Sequence, residues 1–573
     1  MCRKMNKKLI YILMIPVFLL NMSCNEDEFL TEVNPNAITT EVFWETSDDF
    51  EKALNTVYGA LQFPSVSGGN LSYEMVQGDL AGTENWYPQS PFGELNFTDA
   101  TEHVQNKWNE LYIGIFRANQ VLHYIADADI EDEEKALVIG QARFLRAFFY
   151  FQLAHTYGGA VIHTALPVTD EDFEKPFESI DEVTTQVIVP DLEFAKANLE
   201  GISWTGDDLG RVSWGAATSL LGKVYLYDES WSEAAVQFKE VIDSQIYSLT
   251  ASYMDNFTHE NEFNSESIFE VSYSDVLKPG VNGNTIDDTP SETGSEATAL
   301  NISMAQLNFG GYNTVLSSYY LHELMVYDEI DPSKTVNNGF TFSQRMYASI
   351  VPINGDGEYY GLPIGDKPGW AFGQSAYVKK FSNWYHLDIE DGNQRSGINF
   401  RHIRYADVLL MYAEAILNDQ GSAAVAEAIS YIDMIRSRAG VLTIQQYLDD
   451  NANTFPAMHR SVQVHGAFDM VAPTADNLLT HIMLVERPIE LCFEGHRWKD
   501  LVRWDIVSNQ LTTLRADEVW RENNLAAIQG QPPLMITERI RPDYAVSAGS
   551  YTASDNYFPI PTGEKQINAG LGL

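Results

Sequence analysis

A mainly α-helical fold is predicted by three features of the sequence. Apolar residues recur at i, i+3, i+4 and i+7 in several separate blocks, the pattern of helices with one buried face. One stretch, residues 212–242, carries Leu221, Gly222, Tyr225, Ala234 and Phe238 at the intervals of a tetratricopeptide repeat, with a small residue where two helices cross. Long segments rich in Gly, Asn, Asp, Ser and Pro, with interspersed aromatics, separate the blocks. The expected architecture is a set of tetratricopeptide-type helix pairs with long irregular loop insertions and a few small β-hairpins.

In chain order, residues 1–23 read as a secretory signal peptide. Arg3, Lys4, Lys7 and Lys8 precede an apolar run at 9–20, which falls short of the roughly 20 residues that a membrane-spanning helix needs. Cys24 directly follows small Ser23, the arrangement of a lipoprotein cleaved before a cysteine that is then acylated, although Asn21 stands where an aliphatic residue is usual. Residues 24–40 form an acidic, lipidated tether, and 41–573 form one domain, because no Pro/Ser-rich or charge-block linker divides them.

The first helix of that domain is expected at 46–62, with Phe50, Ala53, Leu54, Val57, Tyr58 and Leu61 on one face and Ser47 and Asp48 as caps. Helices at 104–125, 134–157 and 184–199 follow, and 143–157 is apolar on nearly all sides, so it should be buried. After the repeat-like pair at 212–242, a similar helix recurs at 405–417 with its partner at 423–438. The excursions are 63–101, 260–319, 336–399 and 451–475, and loops of this length usually carry function. Strand-like runs at 267–273 and 376–381 account for the expected hairpins. An acidic helix over 486–504, with Pro488 in its first turn, places Glu486, Glu490 and Glu494 on one face near Arg487, Arg497 and Arg503.

A formal charge of −44 describes an acidic surface, which loses four more basic residues with the signal peptide. Such a surface repels nucleic acid, whose binding depends on Lys and Arg neutralising phosphates. With 45% hydrophobic and 12% aromatic residues, the chain builds a large core and is not disordered. Of three cysteines, Cys2 lies in the signal and Cys24 at the lipid site, leaving Cys492 as a small buried hydrophobe and no intramolecular disulfide. The 12 histidines show no metal-ligand spacing, and Asn354-Gly-Asp356-Gly-Glu358 resembles a calcium loop but lacks its terminal bidentate Glu, so no metal is assigned. No phosphate loop, dinucleotide fingerprint or nucleophile elbow is present, so neither cofactor nor catalytic residue is expected.

A series of segments, in order, resembles the SusD/RagB family of Bacteroidetes outer-membrane nutrient-binding lipoproteins. They are Phe43-Trp44 with its following helix, Trp108-x-x-Leu-Tyr to Arg117-Ala-Asn119, and Ala142-Arg-Phe-Leu-Arg-Ala-Phe-Phe-Tyr-Phe151 closed by Tyr157-Gly158-Gly159. Arg211-Val-Ser-Trp-Gly-Ala-Ala217, Ile403-Arg-Tyr-Ala-Asp-Val-Leu-Leu410, Ile435-Arg-Ser-Arg-Ala-Gly440, Glu486-Arg487 to Glu494-Gly-His-Arg-Trp-Lys-Asp-Leu501 and Phe558-Pro-Ile-Pro561 complete the series. Asn25-Glu26-Asp27-Glu28 likewise resembles the export tag of surface lipoproteins in that phylum. The resemblance implies four tetratricopeptide-type helix pairs forming one face, which docks a SusC-like TonB-dependent transporter, and a second face of loops that holds ligand. It also implies a cell-surface, outer-membrane lipoprotein that captures glycans or other nutrients and does not cleave them, and a glycan is the ligand expected here.

A sugar site needs flat rings for the apolar face of pyranoses and amides or carboxylates for hydroxyls at the rim. Asn85, Trp86 and Tyr87, between Gly82 and Pro88, lie where starch-binding members of the resembled family carry part of their aromatic arc. Tyr312 after Phe309-Gly310-Gly311, Trp370 after Lys367-Pro368-Gly369, and Tyr359 complete the expected ligand-binding set, with Tyr360 and Trp384 as weaker candidates. Trp44, Trp108, Trp214, Trp498 and Trp504 lie in helical blocks or structural motifs and are assigned to packing. The carboxylates of 486–494 are read as a structural ion-pair network, since hydrolytic pairs approach a glycosidic bond from opposite sides. The alternatives are a binder of peptides or another non-carbohydrate nutrient, a surface glycoside hydrolase, and a pure protein-interaction scaffold.

Overall fold

The computed structural model describes residues 43–277, 295–364 and 373–572. Its scaffold is a stack of helices in which each packs on the next along the chain: α1 (Ser47–Gly59), α2 (Glu102–Tyr124), α3 (Asp132–Tyr157), α4 (Val189–Leu199), α5 (Trp214–Tyr227), α6 (Trp231–Asp243), α7 (Tyr405–Gln420) and α8 (Val425–Arg438). These make four successive pairs, each burying its apolar face on its neighbours in the manner of a repeat solenoid. The crossing read at Gly222 is real: a Cβ there would sit 2.7 Å from the Phe238 ring. Gly114 plays the same part between α2 and α3, where a Cβ would meet the Phe149 ring at 2.6 Å. The apolar second half of α3 is buried, with Phe144, Leu145, Phe148, Phe149 and Tyr150 inside.

Local departures from expectation have local causes. The cap of α1 is Thr46, one residue ahead of Ser47, because its extended backbone lets Thr46 and Asp49 form a reciprocal capping box. The helix expected from residue 184 starts earlier, at Ile180 behind a Ser179 capping box, and passes through a wide π turn, Thr184–Ile188; an equivalent turn, Ile482–Glu486, precedes Arg487–Glu490. In each case a proline, Pro190 or Pro488, follows within the first turn of the next α segment. Proline has no N–H to donate back to the preceding turn, so the ladder widens there. The helix expected over 486–504 is broken: Phe493 and Gly495 have positive φ, and a separate helix, Arg497–Arg503, follows. A 22-residue helix, α10 (Val507–Ile528), lies beyond it, and the short helix α9 (Ile444–Asp450) follows α8.

The strands that bear on the site are β1 (Ala81–Gly82), β2 (Ser267–Val271), β3 (Leu316–Ser317), β4 (Ile350–Pro352), β5 (Ala376–Val378), β6 (Phe400–Arg404), β7 (Phe455–Pro456) and β8 (Met470–Val471). Small antiparallel pairs form as expected, Glu358–Tyr359 with Leu362–Pro363 and Gly159–Val161 with Phe177–Ser179, but the two runs read as hairpin strands pair over long range instead. β2 pairs antiparallel with distant β6, and β5 joins a four-stranded antiparallel sheet of order β1-β3-β5-β4. That sheet ties three excursions together. One continuous core runs from Ala53 to Phe558, and a second, smaller cluster of Ala305, Phe309, Leu316, Val351, Tyr359, Tyr360, Ile364, Tyr377 and Trp384 lies under the excursions. Among the described residues, no helix is long and apolar enough to cross a membrane.

Candidate functional site

The strand register brings two of the candidate aromatics to one end of the sheet. In the β1/β3 pair, Gly82 faces Leu316 and Ala81 faces Ser317. The chain leaving Gly82 toward Trp86 and the chain arriving at Leu316 from Tyr312 therefore emerge from the same end, each four residues beyond the last rung. Both rings face outward: Trp86 is 59% exposed and Tyr312 48%. Asn85 is exposed beside Trp86, and Tyr87 is half-buried with its ring centroid 5.9 Å from that of Trp86. Burial raises the Tyr87 phenol above its ordinary pKa, against a hydrogen bond from Trp86.

The Trp86 loop is held rigidly. The Tyr87 N–H donates to the Glu84 carbonyl at 3.0 Å and the Ser90 N–H donates to the Tyr87 carbonyl at 3.0 Å, so the tryptophan sits on a closed turn. Arg539 donates from one nitrogen to both oxygens of the Glu84 carboxylate, at 2.8 Å each, which sets a partly exposed guanidinium next to the loop. Gly82 is required beneath it, because a Cβ there would overlap the Asp543 carboxylate at 2.0 Å. Asp543 is in turn clamped by both arms of Arg541, at 2.5 and 2.7 Å.

Tyr312 is presented by an equally constrained turn. Gly310 has φ +80°, and a Cβ on Gly311 would lie 2.0 Å from the Ala305 carbonyl oxygen, so both positions demand glycine. The Tyr312 N–H donates to the Ile302 carbonyl at 2.7 Å and the Asn313 N–H to that of Ala305 at 2.9 Å. The phenol oxygen accepts from the Gln394 amide at 3.0 Å. Leu307 and Ile389 stand exposed on the same excursions, and Ile389 abuts the glycine turn. Two half-exposed rings on fixed turns, with Asn85, Gln394 and Arg539 as polar neighbours, suit a ligand that has both apolar faces and hydroxyls.

Tyr359 does not belong to this site. It is 0% exposed in the second core cluster, packed edge-on against Phe309 and Tyr360, and its hydroxyl accepts from the Gln306 N–H at 3.3 Å. Tyr360 is stacked on Phe309 and donates to Glu390, while Trp384 lies under the Lys379 ammonium at 3.6 Å. A loop aromatic enters this cluster because the excursions bury their own small core, which leaves no ring face for a ligand. Trp370 and Cys24 lie outside the described residues. Gln394 and Arg539 were not singled out by sequence reasoning: Gln394 sits in a flagged excursion, whereas nothing around Arg539 marks it, since its place depends on a contact across 455 residues.

The carboxylates of 486–494 are locked in buried pairs. Glu486 bonds Arg345 at 2.5 Å and Arg436 at 2.9 Å; Glu490 bonds Arg404 at 2.7 Å and Arg438 at 2.5 Å; Glu494 bonds Arg404 at 2.7 Å and Lys380 at 2.9 Å. Glu266 completes the cluster through Arg404 at 2.7 Å and Arg438 at 2.6 Å. Burial alone would raise Glu494 and Glu266, but Arg404 and Lys380 hold Glu494 at about 2, and Arg438 and Arg404 hold Glu266 at about 2. The arginines expected as partners pair elsewhere, Arg487 with Asp407 and Asp500, Arg497 with Asp79, and Arg503 with Glu414 and Asp500; the helix break takes Arg497 and Arg503 off the glutamate face. These groups are buried against cationic partners and sealed from substrate. The Asp356 carboxylate is likewise spent, accepting the Thr341 and Phe342 N–H groups at 2.8 Å each, and Cys492 is buried with its thiol pKa raised by burial.

Comparison with known proteins shows two family models matching this chain: one described as the SusD family over residues 265–572, and one described as starch-binding and associating with the outer membrane over residues 28–226. A relative, SusD-like protein P25 of Formosa agariphila, is 23% identical over 563 residues, covering 92% of this chain and 96% of its own. Among solved structures, a SusD superfamily protein from Bacteroides vulgatus aligns with a TM-score of 0.71 at 23% identity over 92% of this chain and 98% of its own. A laminarin-binding SusD-like protein aligns with a TM-score of 0.65 at 22% identity, over 91% and 98%. At these identities the structural likeness establishes the fold.

Proposed function

The chain belongs to the SusD family, and from that premise we propose that it is a surface lipoprotein that captures a glycan and passes it to a SusC-like TonB-dependent transporter. The observation that carries the glycan reading is the pair Trp86 and Tyr312, two exposed rings presented from hydrogen-bonded turns at one end of the β1/β3 pair. Aromatic rings fixed outward on rigid turns suit the apolar face of a sugar ring. The laminarin-binding neighbour and the starch-binding family description support the same ligand class.

Its action is capture, not bond cleavage. The paired carboxylates that a glycosidase needs would have to be accessible, and Glu486, Glu490 and Glu494 are buried against arginines. In this reading residues 1–23 are removed, Cys24 is acylated, residues 24–40 tether the protein to the outer membrane, and the helix-pair face meets the transporter. The family description that mentions the outer membrane supports that location.

The test is calorimetry with a panel of neutral oligosaccharides and a panel of peptides, on the soluble chain from residue 25 and on its Trp86→Ala/Tyr312→Ala double variant. The expected result is sugar binding that weakens about a hundredfold, roughly 3 kcal/mol, in the double variant. Binding to peptides alone would overturn the carbohydrate claim in favour of a peptide carrier. Pull-down of a TonB-dependent receptor with the membrane-anchored protein tests the partner, and Cys24→Ala should release the protein from the membrane while leaving soluble sugar binding intact.

A further inference from the structure

A cleft elsewhere in the fold shares no lining residue with the Trp86 and Tyr312 turns. Tyr312 precedes β3, whereas the cleft begins after the helix Tyr319–Val326, which carries the chain about 12 Å further on. Its walls are the segment after that helix, the short helix α9 and the excursion between β7 and β8, and its volume is about 740 Å³. Pockets that bind small molecules are typically ~300–1,000 Å³. None of the residues assigned to the first site lines it.

The chemistry of the lining is specific. Tyr327, Phe342 and Phe468 offer half-buried rings, with Tyr327 and Phe468 edge to face at 5.2 Å. Tyr447 lies deeper, its hydroxyl donating to Glu329 at 3.3 Å. Glu329, Asp450, Asn451 and Thr341 stand exposed at the mouth. No Lys, Arg or His lines the cleft, so an anionic ligand has no counter-charge there. The deep carboxylate, Asp328, is already neutralised by both arms of Arg345 at 2.7 and 3.0 Å, so a cation finds no free partner on the floor. Apolar rings inside and hydrogen-bonding oxygens and amides at the mouth fit a neutral, polyhydroxylated ring.

The walls are also built to hold shape. The excursion carrying Phe468 and Met470 is closed by the β7/β8 pair, and it is fixed to α10 by His465 on Asp517 at 2.8 Å and by Arg521 on Ser461 at 3.0 Å. Thr341 and Phe342 on the opposite wall are fixed by Asp356. We propose that this cleft is a second saccharide-binding site, independent of the Trp86 site and selective for neutral sugar rings. Two separate sites on one carrier would hold an extended glycan at two points, raising its effective concentration at each.

The test is methyl NMR of protein labelled at methionine, because Met470 lines the cleft, is 46% exposed, and can be assigned with Met470→Leu. Neutral hexasaccharides of glucose, xylose, mannose and galactose are the probes. The Met470 signal should shift saturably with at least one of them. That shift should persist in the Trp86→Ala/Tyr312→Ala double variant and should require about tenfold more sugar in Phe468→Ala. Asp450→Ala, at an exposed position, should weaken it about threefold without affecting the fold. A Met470 signal that no sugar moves, or one that disappears with the Trp86/Tyr312 double variant, overturns the second site. So does a response unaltered in both Phe468→Ala and Asp450→Ala. A Met470 response that persists in the Trp86→Ala/Tyr312→Ala double variant, while calorimetry shows no loss of total sugar binding in that variant, sinks the first reading and leaves this one standing.

Discussion

In the helical stack, α5 and α6 meet where Gly222 lies under the Phe238 ring, and neighbours along the chain are neighbours in space. On the excursion face, Tyr359 and Trp86 are both aromatics in Gly-rich loops, yet one is fully buried and the other is 59% exposed. The stack uses short-range contacts whose identity is written in a periodic sequence. The excursion face uses strand pairs joining residues 81–82, 316–317, 350–352 and 376–378, and these decide which rings become core and which become surface. A loop aromatic is therefore evidence for a ligand only once the register that positions it is known.

The largest expected effect joins the two regions. Arg404 on β6 holds Glu266, Glu490 and Glu494, so Arg404→Met leaves three buried carboxylates short of a partner. Breaking such a pair costs ~3–5 kcal/mol, and urea unfolding should show a loss of that size or failure to fold. The same network sets acid stability. Glu266 and Glu494 have folded pKa values of about 2, below the ordinary value of 4.5, so their contribution is complete above pH 4.5 and is lost as pH falls toward 2. The acid unfolding midpoint should lie inside that window, and an unfolding curve flat from pH 5 to 2 would contradict the ion-pair assignment.

Tyr359→Ala should cost ~3–5 kcal/mol, the range for removing a buried aromatic, and should abolish sugar binding only through unfolding. Gly222→Ala sets a helix gain of ~1 kcal/mol against overpacking of Phe238 worth ~1–3 kcal/mol, so a net loss of about 1 kcal/mol is expected in thermal melts. Trp86→Ala should change stability by no more than ~0.5 kcal/mol while weakening glycan binding. Equal destabilisation by Trp86→Ala and Tyr359→Ala would erase the distinction between surface ring and core ring.

The helices of the stack were legible because each depends on its own apolar period, and the repeat spacing at 221–238 announced the crossing that Gly222 makes. The candidate site was legible only in part. The Gly310-Gly311 pair before Tyr312 signalled a forced turn, and Asn85-Trp86-Tyr87 between Gly82 and Pro88 signalled a presented loop. The burial of Tyr359 was not legible, since nothing in its own sequence differs from that of an exposed loop ring.

What the sequence determined by itself was the helical content, the pairing of adjacent helices, the acidic surface and the candidate aromatics, because periodicity, composition and turn chemistry act over a few residues. Only the tertiary structure decided the break at Phe493–Gly495, the partners of the buried glutamates, the contact of Arg539 with Glu84 and the sorting of loop aromatics into core and rim. Those outcomes rest on contacts between residues tens to hundreds of positions apart. No local pattern encodes such contacts, because strand register and ion pairing are settled only when the whole core closes.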